Sequence, residues 1–483
     1  MSYHSRLAAG PMARAPAAQS LTGDQSGSSG ATPGASRAVN PQPPASGLPS
    51  SPNCGRHSAA IGRRTLLKLA GVGGVSWLTP LAHVLARQAE TNSRRPAQSL
   101  ILLWLDGGPS QLETLDPHSG THIAAGTRAI ETRVPGVRLA AGYERLAEQM
   151  ESVTLIRSMK SKEGDHERGV YLAKTGYRPD PTVVHPAIGA ICCEQLPAQS
   201  ALSSAATDIP RHVSILPGAW PSRGGYLGAQ YDAFKTYDPQ HKVPDVVATV
   251  EDRRFARRFE EDLDVVERAF ARGRSGRVEA TLHRHTMRAA RQMMSSEQLA
   301  AFDVMQEPAA LLAAYGDTPF GRGCLAARRL IEVGVRCVEV TLGGWDSHIN
   351  NHEIHRELAT TLDPALATLI RDLRERELLE HTLVVCAGEF GRTPRVNPLG
   401  GRDHWPHAFS IALSGGGIRG GHVVGETDPD GGREVVDPHT FADVHATLLS
   451  ALGIDPALEI ITPIGRPLRL AEGQPIRELV DGR

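Results

Sequence analysis

Apolar positions in this chain fall into two alternating patterns. Short, mainly apolar runs occur at Ser99–Leu105 (SLILLWL), 153–156, 212–216, Val335–Leu342 (VRCVEVTL) and Thr382–Ala387 (TLVVCA). Runs of this length with no polar alternation read as strands buried on both faces. Between them the apolar positions recur with helical spacing. Leu139, Tyr143 and Leu146 mark one face of a helix over 139–149. Residues 245–315 read as mostly helical, with Phe255, Phe259, Leu263, Val266 and Phe270 among alternating Glu and Arg. Further helices are expected over 323–333, 355–375 and 441–454. Strands alternating with helices predict an α/β fold with a mainly parallel sheet, and no internal repeat interrupts the pattern.

Parallel strands place all their carboxyl ends on one edge, where such sheets hold ligands and chemistry. The residues just beyond the predicted strands are therefore the informative ones. Asp106 follows the first strand, ahead of Gly107-Gly108-Pro109. GGWDSHINNH, which brings Asp346, His348 and His352, follows the strand over 335–342. Glu389, Arg392, Asp403 and His404 follow Thr382–Ala387 in a Gly- and Pro-rich stretch. Mixed Asp and His donors suit divalent zinc, manganese or iron, and all-oxygen donors suit calcium or magnesium. The expected cofactor is a divalent ion: zinc, manganese or calcium. Asp346 and His348 share a side if that segment is extended, and His348 and His352 share a face if it is helical. Solvated charges and structurally satisfied histidines are the competing reading. Two separate clusters of this type favour a metal site.

Ser158, with Arg157 before it, follows the run at 153–156, where a strand-to-loop nucleophile or a simple turn residue would sit. His166 and Arg168 lie on the next loop or helix start and, with Arg157, are candidate substrate contacts. Arg157, Arg168 and Arg392 are candidates for holding an anionic ester group. The stretch WPSRGGYLGAQYDAFKTYDP combines aromatics, Arg223 and glycines and reads as a substrate-facing loop.

Composition narrows the picture. The chain has 483 residues, long enough for one large domain or two smaller ones, and a formal net charge of −1, which offers no basic surface for nucleic acid. The 6 cysteines include no CxxC pair, which argues against a zinc ribbon. Cys337 and Cys386 sit in apolar runs and read as buried thiols, while the pairing of Cys192 and Cys193 stays open. Residues 1–60, rich in Ala, Ser, Gly and Pro, read as a disordered extension. Residues 61–86 place Arg63-Arg64, Leu66, Leu67 and Lys68 ahead of a short apolar stretch, the pattern of a twin-arginine export signal. The expected partner is the twin-arginine machinery. The expected location is periplasmic or extracellular, with an uncleaved signal as an alternative anchor. The folded domain is expected over 96–475.

Four segments together carry a resemblance: LLWLDGGPSQLETLDP, RSMKSKEGDHERGVYLAKTGYRP, GGWDSHINNH and the EFGRTPRVNPLGGRDHWPH stretch. In content and order they resemble the secreted bacterial family called domain of unknown function 1501, which is grouped with sulfatases and alkaline phosphatases. The resemblance implies an alkaline-phosphatase/sulfatase-like three-layer sandwich around a central mainly parallel sheet, with one or two divalent metals at the strand ends. It implies Asp106 as the first-strand ligand and Ser158 as the residue nearest the nucleophile position. Asp346 with His348 or His352 would form the central pair, and His404 would be the late histidine. Two departures stand out. No Cys/Ser-x-Pro-x-Arg motif surrounds Ser158, and Glu389-Phe390 occupies the place of an Asp-His pair. The implied activity is hydrolysis of phosphate or sulfate esters on a small molecule or polysaccharide, by an exported metal-dependent enzyme. The alternative is an exported binding or cell-envelope assembly protein on the same fold without catalysis.

Overall fold

The structure, a computed structural model, describes residues 96–197, 206–246, 253–274, 282–430 and 435–480. All of them belong to one compact unit, Trp77–Arg483. The expected extension at 1–60 and signal at 61–86 lie outside the described residues.

Eight strands form the central sheet: β1 (Ser99–Leu105), β2 (Val153–Met159), β3 (His212–Ile215), β4 (Phe234–Thr236), β5 (Cys337–Leu342), β6 (Thr382–Ala387), β7 (Phe409–Gly415) and β8 (His422–Val424). Their order across the sheet is β8-β2-β7-β6-β1-β5-β3-β4. Every neighbouring pair is parallel except those made by β7, which runs antiparallel to both β2 and β6. β1 lies between β5 and β6, so its hydrogen-bonding edges are both filled and both its faces are covered. That is why it carries no polar alternation.

The two faces of β1 point into separate apolar cores. Ile101, Leu103 and Leu105 join α3 (Pro319–Glu332) and α4 (Asn351–Glu375), through Leu325, Leu330, Leu366 and Leu369. Leu100, Leu102 and Trp104 join α1 (His166–Thr175), α2 (Ile188–Gln195) and α5 (Phe441–Ala451), through Val170, Ile191 and Leu448. Helices thus cover both sheet faces, which makes three layers. Burying each Leu or Ile contributes about 1.5–3 kcal/mol. Cys192, Cys193, Cys324, Cys337 and Cys386 are buried free thiols. No helix among the described residues is long and apolar enough to cross a membrane.

Two buried histidines make the fold sensitive to acid. His355 on α4 accepts the backbone N–H of Ser110 at Nε2 (2.8 Å) and donates from Nδ1 to the Asn351 carbonyl (2.9 Å). A proton on Nε2 would face that N–H donor. Burial pushes His355 down to about 4, from an ordinary value of 6.5. His445 donates to the Ala173 carbonyl (2.9 Å), and burial pushes it down to about 4 as well. A depressed folded-state value means the unfolded chain binds more protons below pH 6.5. Stability is therefore full above that pH and falls as pH drops toward 4. Each histidine accounts for about 3 kcal/mol of that loss. Urea titrations between pH 7 and 4 should show His445→Gln losing about 3 kcal/mol less than wild type over this range. Superimposable pH profiles would rule out the assignment.

Candidate metal centre

The parallel topology brings the ends of β1, β2, β5 and β6 to one edge. The loop after β2 reaches that edge and enters α1, whose N-cap is Asp165 and first residue His166. The Asp165 side chain accepts the backbone N–H of Arg168 and so fixes the helix start. The segment after β5 carries Asp346 and His348 without regular secondary structure and turns at Asn350, in the left-handed region at φ 48°, into α4. The loop after β6 returns as a short antiparallel pair, Gly391–Arg392 with His404–Trp405, and so places His404 opposite Arg392.

His166, His348 and His404 meet around Asp346. Asp346 Oδ1 lies 3.1 Å from His348 Nε2, 3.3 Å from His404 Nε2 and 3.5 Å from His166 Nε2. His348 Nε2 and His404 Nε2 are 3.0 Å apart. The donor atoms of His166, Asp346 and His404 all lie within 4.8 Å of one another. Each imidazole is held by its other nitrogen. His166 Nδ1 donates to Glu389 Oε1 (2.7 Å), His348 Nδ1 to Asp403 Oδ1 (2.9 Å) and His404 Nδ1 to the Gly164 carbonyl (2.8 Å). These acceptors carry no hydrogen, so Nδ1 holds the proton in each ring and the Nε2 lone pairs face Asp346. His166 Nε2 is buried without a hydrogen-bond partner.

Lone pairs and a carboxylate oxygen this close repel one another unless a cation or added protons lie among them. Four donors about 2.05 Å from a tetrahedral zinc ion would be about 3.3–3.4 Å apart. Four of the six donor separations, at 3.0 to 3.5 Å, lie near that figure, while the set whose donors are all mutually close, within 4.8 Å, is His166, Asp346 and His404 without His348. Imidazoles that donate Nδ1–H to carboxylate or carbonyl oxygen are the usual preparation of metal-binding histidines.

The electrostatics follow from the same contacts. Burial raises Asp346, but the hydrogen bond and charge of Arg392, with His166 and His348, outweigh it and hold the carboxyl below its ordinary range. The hydrogen bond to Glu389 raises His166. Burial raises Glu389, only partly offset by His166. Burial lowers His404. The Phe390 ring, 1% exposed, lies 4.6 Å from the His404 ring and 5.1 Å from the His166 ring. It donates nothing to a metal but walls the imidazoles in place. Gly107 has φ 114°, and a Cβ there would come within 2.6 Å of the Asp346 backbone nitrogen. A Cβ on Gly401 would lie 1.9 Å from the His348 carbonyl. Both glycines let the backbone pass close behind the site.

Other candidates from the sequence stand around this group or away from it. Glu389 orients His166 and also accepts the Gly107 N–H (3.1 Å). Asp403 orients His348. Asp106 Oδ1 accepts from Trp104 Nε1 (3.1 Å), and Asp106 takes no part in the convergent set. His352 lies on the first turn of α4, 3.4 Å from Glu113, apart from His348. Glu113 is itself paired with buried Arg402. Ser158 is 0% exposed within β2, and a Cβ on Gly425 would touch its hydroxyl, which has no hydrogen-bond partner. Arg157 binds the Leu115 carbonyl and Asp116. Arg168, itself exposed, pairs with the buried carboxylate of Glu163. Arg392 is 0% exposed and anchors Asp346 at 2.6 Å. Three more of its five N–H groups go to the carbonyls of Gly107, Gly108 and Arg402.

Glu389→Gln keeps the shape but removes the charge that pairs with the His166 Nδ1–H. Metal affinity should fall about 10–100-fold, measured by competition with a chromophoric chelator, with the metal-free fold intact. Unchanged affinity would deny Glu389 this orienting role.

Three layers around a mainly parallel sheet, with a histidine–aspartate cluster at the strand ends, define an α/β protein with a candidate metal site. The family model "Protein of unknown function (DUF1501)" matches residues 97–480, and the chain belongs to that family. No curated protein matches the sequence. Solved structures resemble it at low identity. The lipoteichoic acid synthase LtaP from Listeria monocytogenes is 9% identical, with a TM-score of 0.33 over 75% of this chain and 73% of that one. The zinc complex of the C-terminal periplasmic domain of EptC from Escherichia coli is 9% identical, with a TM-score of 0.34 over 80% and 96%. A sulfatase from Pseudoalteromonas sp. is 12% identical, with a TM-score of 0.30 over 76% and 70%.

Proposed function

We propose that His166, Asp346, His348 and His404 hold a divalent ion, and that this exported protein hydrolyses phosphate or sulfate esters. The observation that carries the reading is the convergence of three Nε2 atoms on Asp346, each ring tied by Nδ1 to an oxygen acceptor. A bound divalent ion would supply Lewis-acid polarisation of the ester oxygens and a lowered pKa for water. The residues of the chain supply position. Glu389, Asp403 and the Gly164 carbonyl fix the ring orientations. Arg392 fixes Asp346 and, 0% exposed with four of its five N–H groups engaged, serves the site as a positioning residue rather than as a clamp on substrate. Among the described residues, no serine, threonine or cysteine hydrogen-bonds to any of the four donors. Ser158 faces Gly425. Water is therefore the attacking group in this reading. Export rests on Arg63-Arg64 and the apolar stretch behind them.

The test uses chain stripped of metal and reloaded with zinc, manganese or magnesium, then offered nitrophenyl phosphate, bis-nitrophenyl phosphate and nitrophenyl sulfate. Turnover should require metal and disappear in His404→Ala. If the loaded wild type turns over none of the esters, the hydrolase reading fails and a non-catalytic metal-holding scaffold replaces it.

A further inference from the structure

Beside the metal centre, on the same helix, lies a cavity of about 210 Å³. His166 opens α1, and Glu167 next to it, with Tyr171 and Lys174 on later turns of α1, lines the cavity along with His185, Trp220 and Arg223. Its wall is the start of the aromatic, glycine-rich stretch that the sequence marks as substrate-facing.

The wall is built from beneath. Glu339, in the middle of β5 and 0% exposed, sits between Val338 and Val340. It accepts Lys174 Nζ (3.0 Å), Ser214 Oγ (3.1 Å) and Ser222 Oγ (2.7 Å). Lys174 also donates to the Trp220 carbonyl (2.9 Å) and lies 4.9 Å from the Trp104 ring centroid. A buried charged pair between helix and sheet costs desolvation, and an apolar pair of similar volume is often as stable or more so. What this pair adds is attachment: Trp220 and Ser222 are both tied to the core through it.

The lining has a definite chemistry. Tyr171 Oη accepts the His185 backbone N–H (2.7 Å), so its proton goes to His185 Nδ1 (3.0 Å). His185 therefore carries its ring proton on Nε2, for which no hydrogen-bond partner occurs among the described residues. Burial lowers its pKa and keeps it neutral. The Tyr177 ring stacks on it at 4.4 Å with an interplanar angle of 3°, which holds it flat. Trp220 stays 38% exposed at the cavity mouth. Glu167 and Arg223 bring opposite charges, and Lys174 is already paired with Glu339, so the lining carries no net charge to attract an anion. An aromatic surface, a neutral donor, an acceptor and a fork of donors match a ring with apolar C–H faces and a hydroxyl rim.

We infer that this cavity binds an uncharged pyranose ring of a glycan. The inference uses only the cavity's residues and stands whether or not the metal centre is catalytic.

The test is a neutral-glycan array probed with the purified full chain, followed by titration of the trisaccharide that binds best. Saturable binding is expected. Trp220→Ala and Arg223→Ala should each weaken it roughly tenfold or more, equivalent to about 1.4 kcal/mol. Both positions are exposed, and unchanged thermal midpoints should verify folding. Asp346→Ala should bind the same sugar as wild type even if it has lost metal and turnover, so failure of the hydrolase reading stays distinguishable from failure here. No binding to any neutral glycan, or binding that Trp220→Ala leaves unchanged, would overturn the inference. So would displacement of the bound sugar by millimolar inorganic phosphate or sulfate, which would mark an anion site.

Discussion

Replacing Arg392 with alanine should destabilise the protein by about 2–4 kcal/mol, mostly from buried backbone carbonyls left without donors, since its partner Asp346 is 46% exposed and water screens that charge. The side chain is 0% exposed and gives Nε to the Gly108 carbonyl (2.9 Å), Nη1 to the Arg402 carbonyl (3.1 Å) and Nη2 to Asp346 (2.6 Å) and the Gly107 carbonyl. Truncation would strip three backbone carbonyls of donors and Asp346 of its counter-charge. Each unsatisfied buried group costs about 1–3 kcal/mol. Lysine should not rescue the change, because one ammonium cannot replace a planar fork that reaches three segments. Denaturant titration of the metal-free protein measures the loss directly. A loss below about 1 kcal/mol would mean those carbonyls find other donors.

The second large effect concerns metal and stability together. Asp346→Ala removes the oxygen on which the three Nε2 atoms converge, and His404→Ala removes the ring closest to a second imidazole. At stoichiometric metal, bound metal should fall to background in Asp346→Ala and drop sharply in His404→Ala, which keeps only weak binding at high zinc. An ion that binds only the folded state stabilises it by about 4 kcal/mol at a thousandfold excess over Kd. Adding EDTA should therefore lower the thermal midpoint of wild type and leave that of Asp346→Ala where it is. Equal shifts in both proteins would separate the metal from this cluster.

Much of this architecture was legible from the apolar runs, because β1 and β6 are buried on both faces and show it in composition. β7 was not legible: FSIALSG lies among glycines and serines and is defined by its antiparallel neighbours β2 and β6. The helix expected over 139–149 shrinks to Glu144–Glu148. Arg138–Ala140 pairs instead with Ala129–Glu131, and Gly142, at φ 107°, breaks the chain direction.

At the site, spacing misled where the local conformation changes. His348 and His352 would share a face in one helix, but α4 begins at Asn351, so His348 precedes it and His352 turns toward Glu113. Ser158 read as a strand-end residue, yet β2 runs on to Met159 and keeps it inside the sheet. His166 read as a substrate contact. Its place beside Asp346 depends on the parallel order of strands far apart in sequence, and Asp165 as N-cap was the one local signal of its position. The orienting role of the Gly164 carbonyl leaves no trace in side-chain identity.

The central claim is that three imidazoles and one carboxylate hold a single ion. X-ray absorption at the metal edge of the zinc-loaded protein tests it most directly. The predicted spectrum has nitrogen and oxygen neighbours at about 2.0–2.1 Å with outer-shell scattering from three imidazoles, falling to two in His404→Ala if that variant is loaded at high zinc. A spectrum without imidazole scattering, or one that His404→Ala leaves unchanged, would contradict the account.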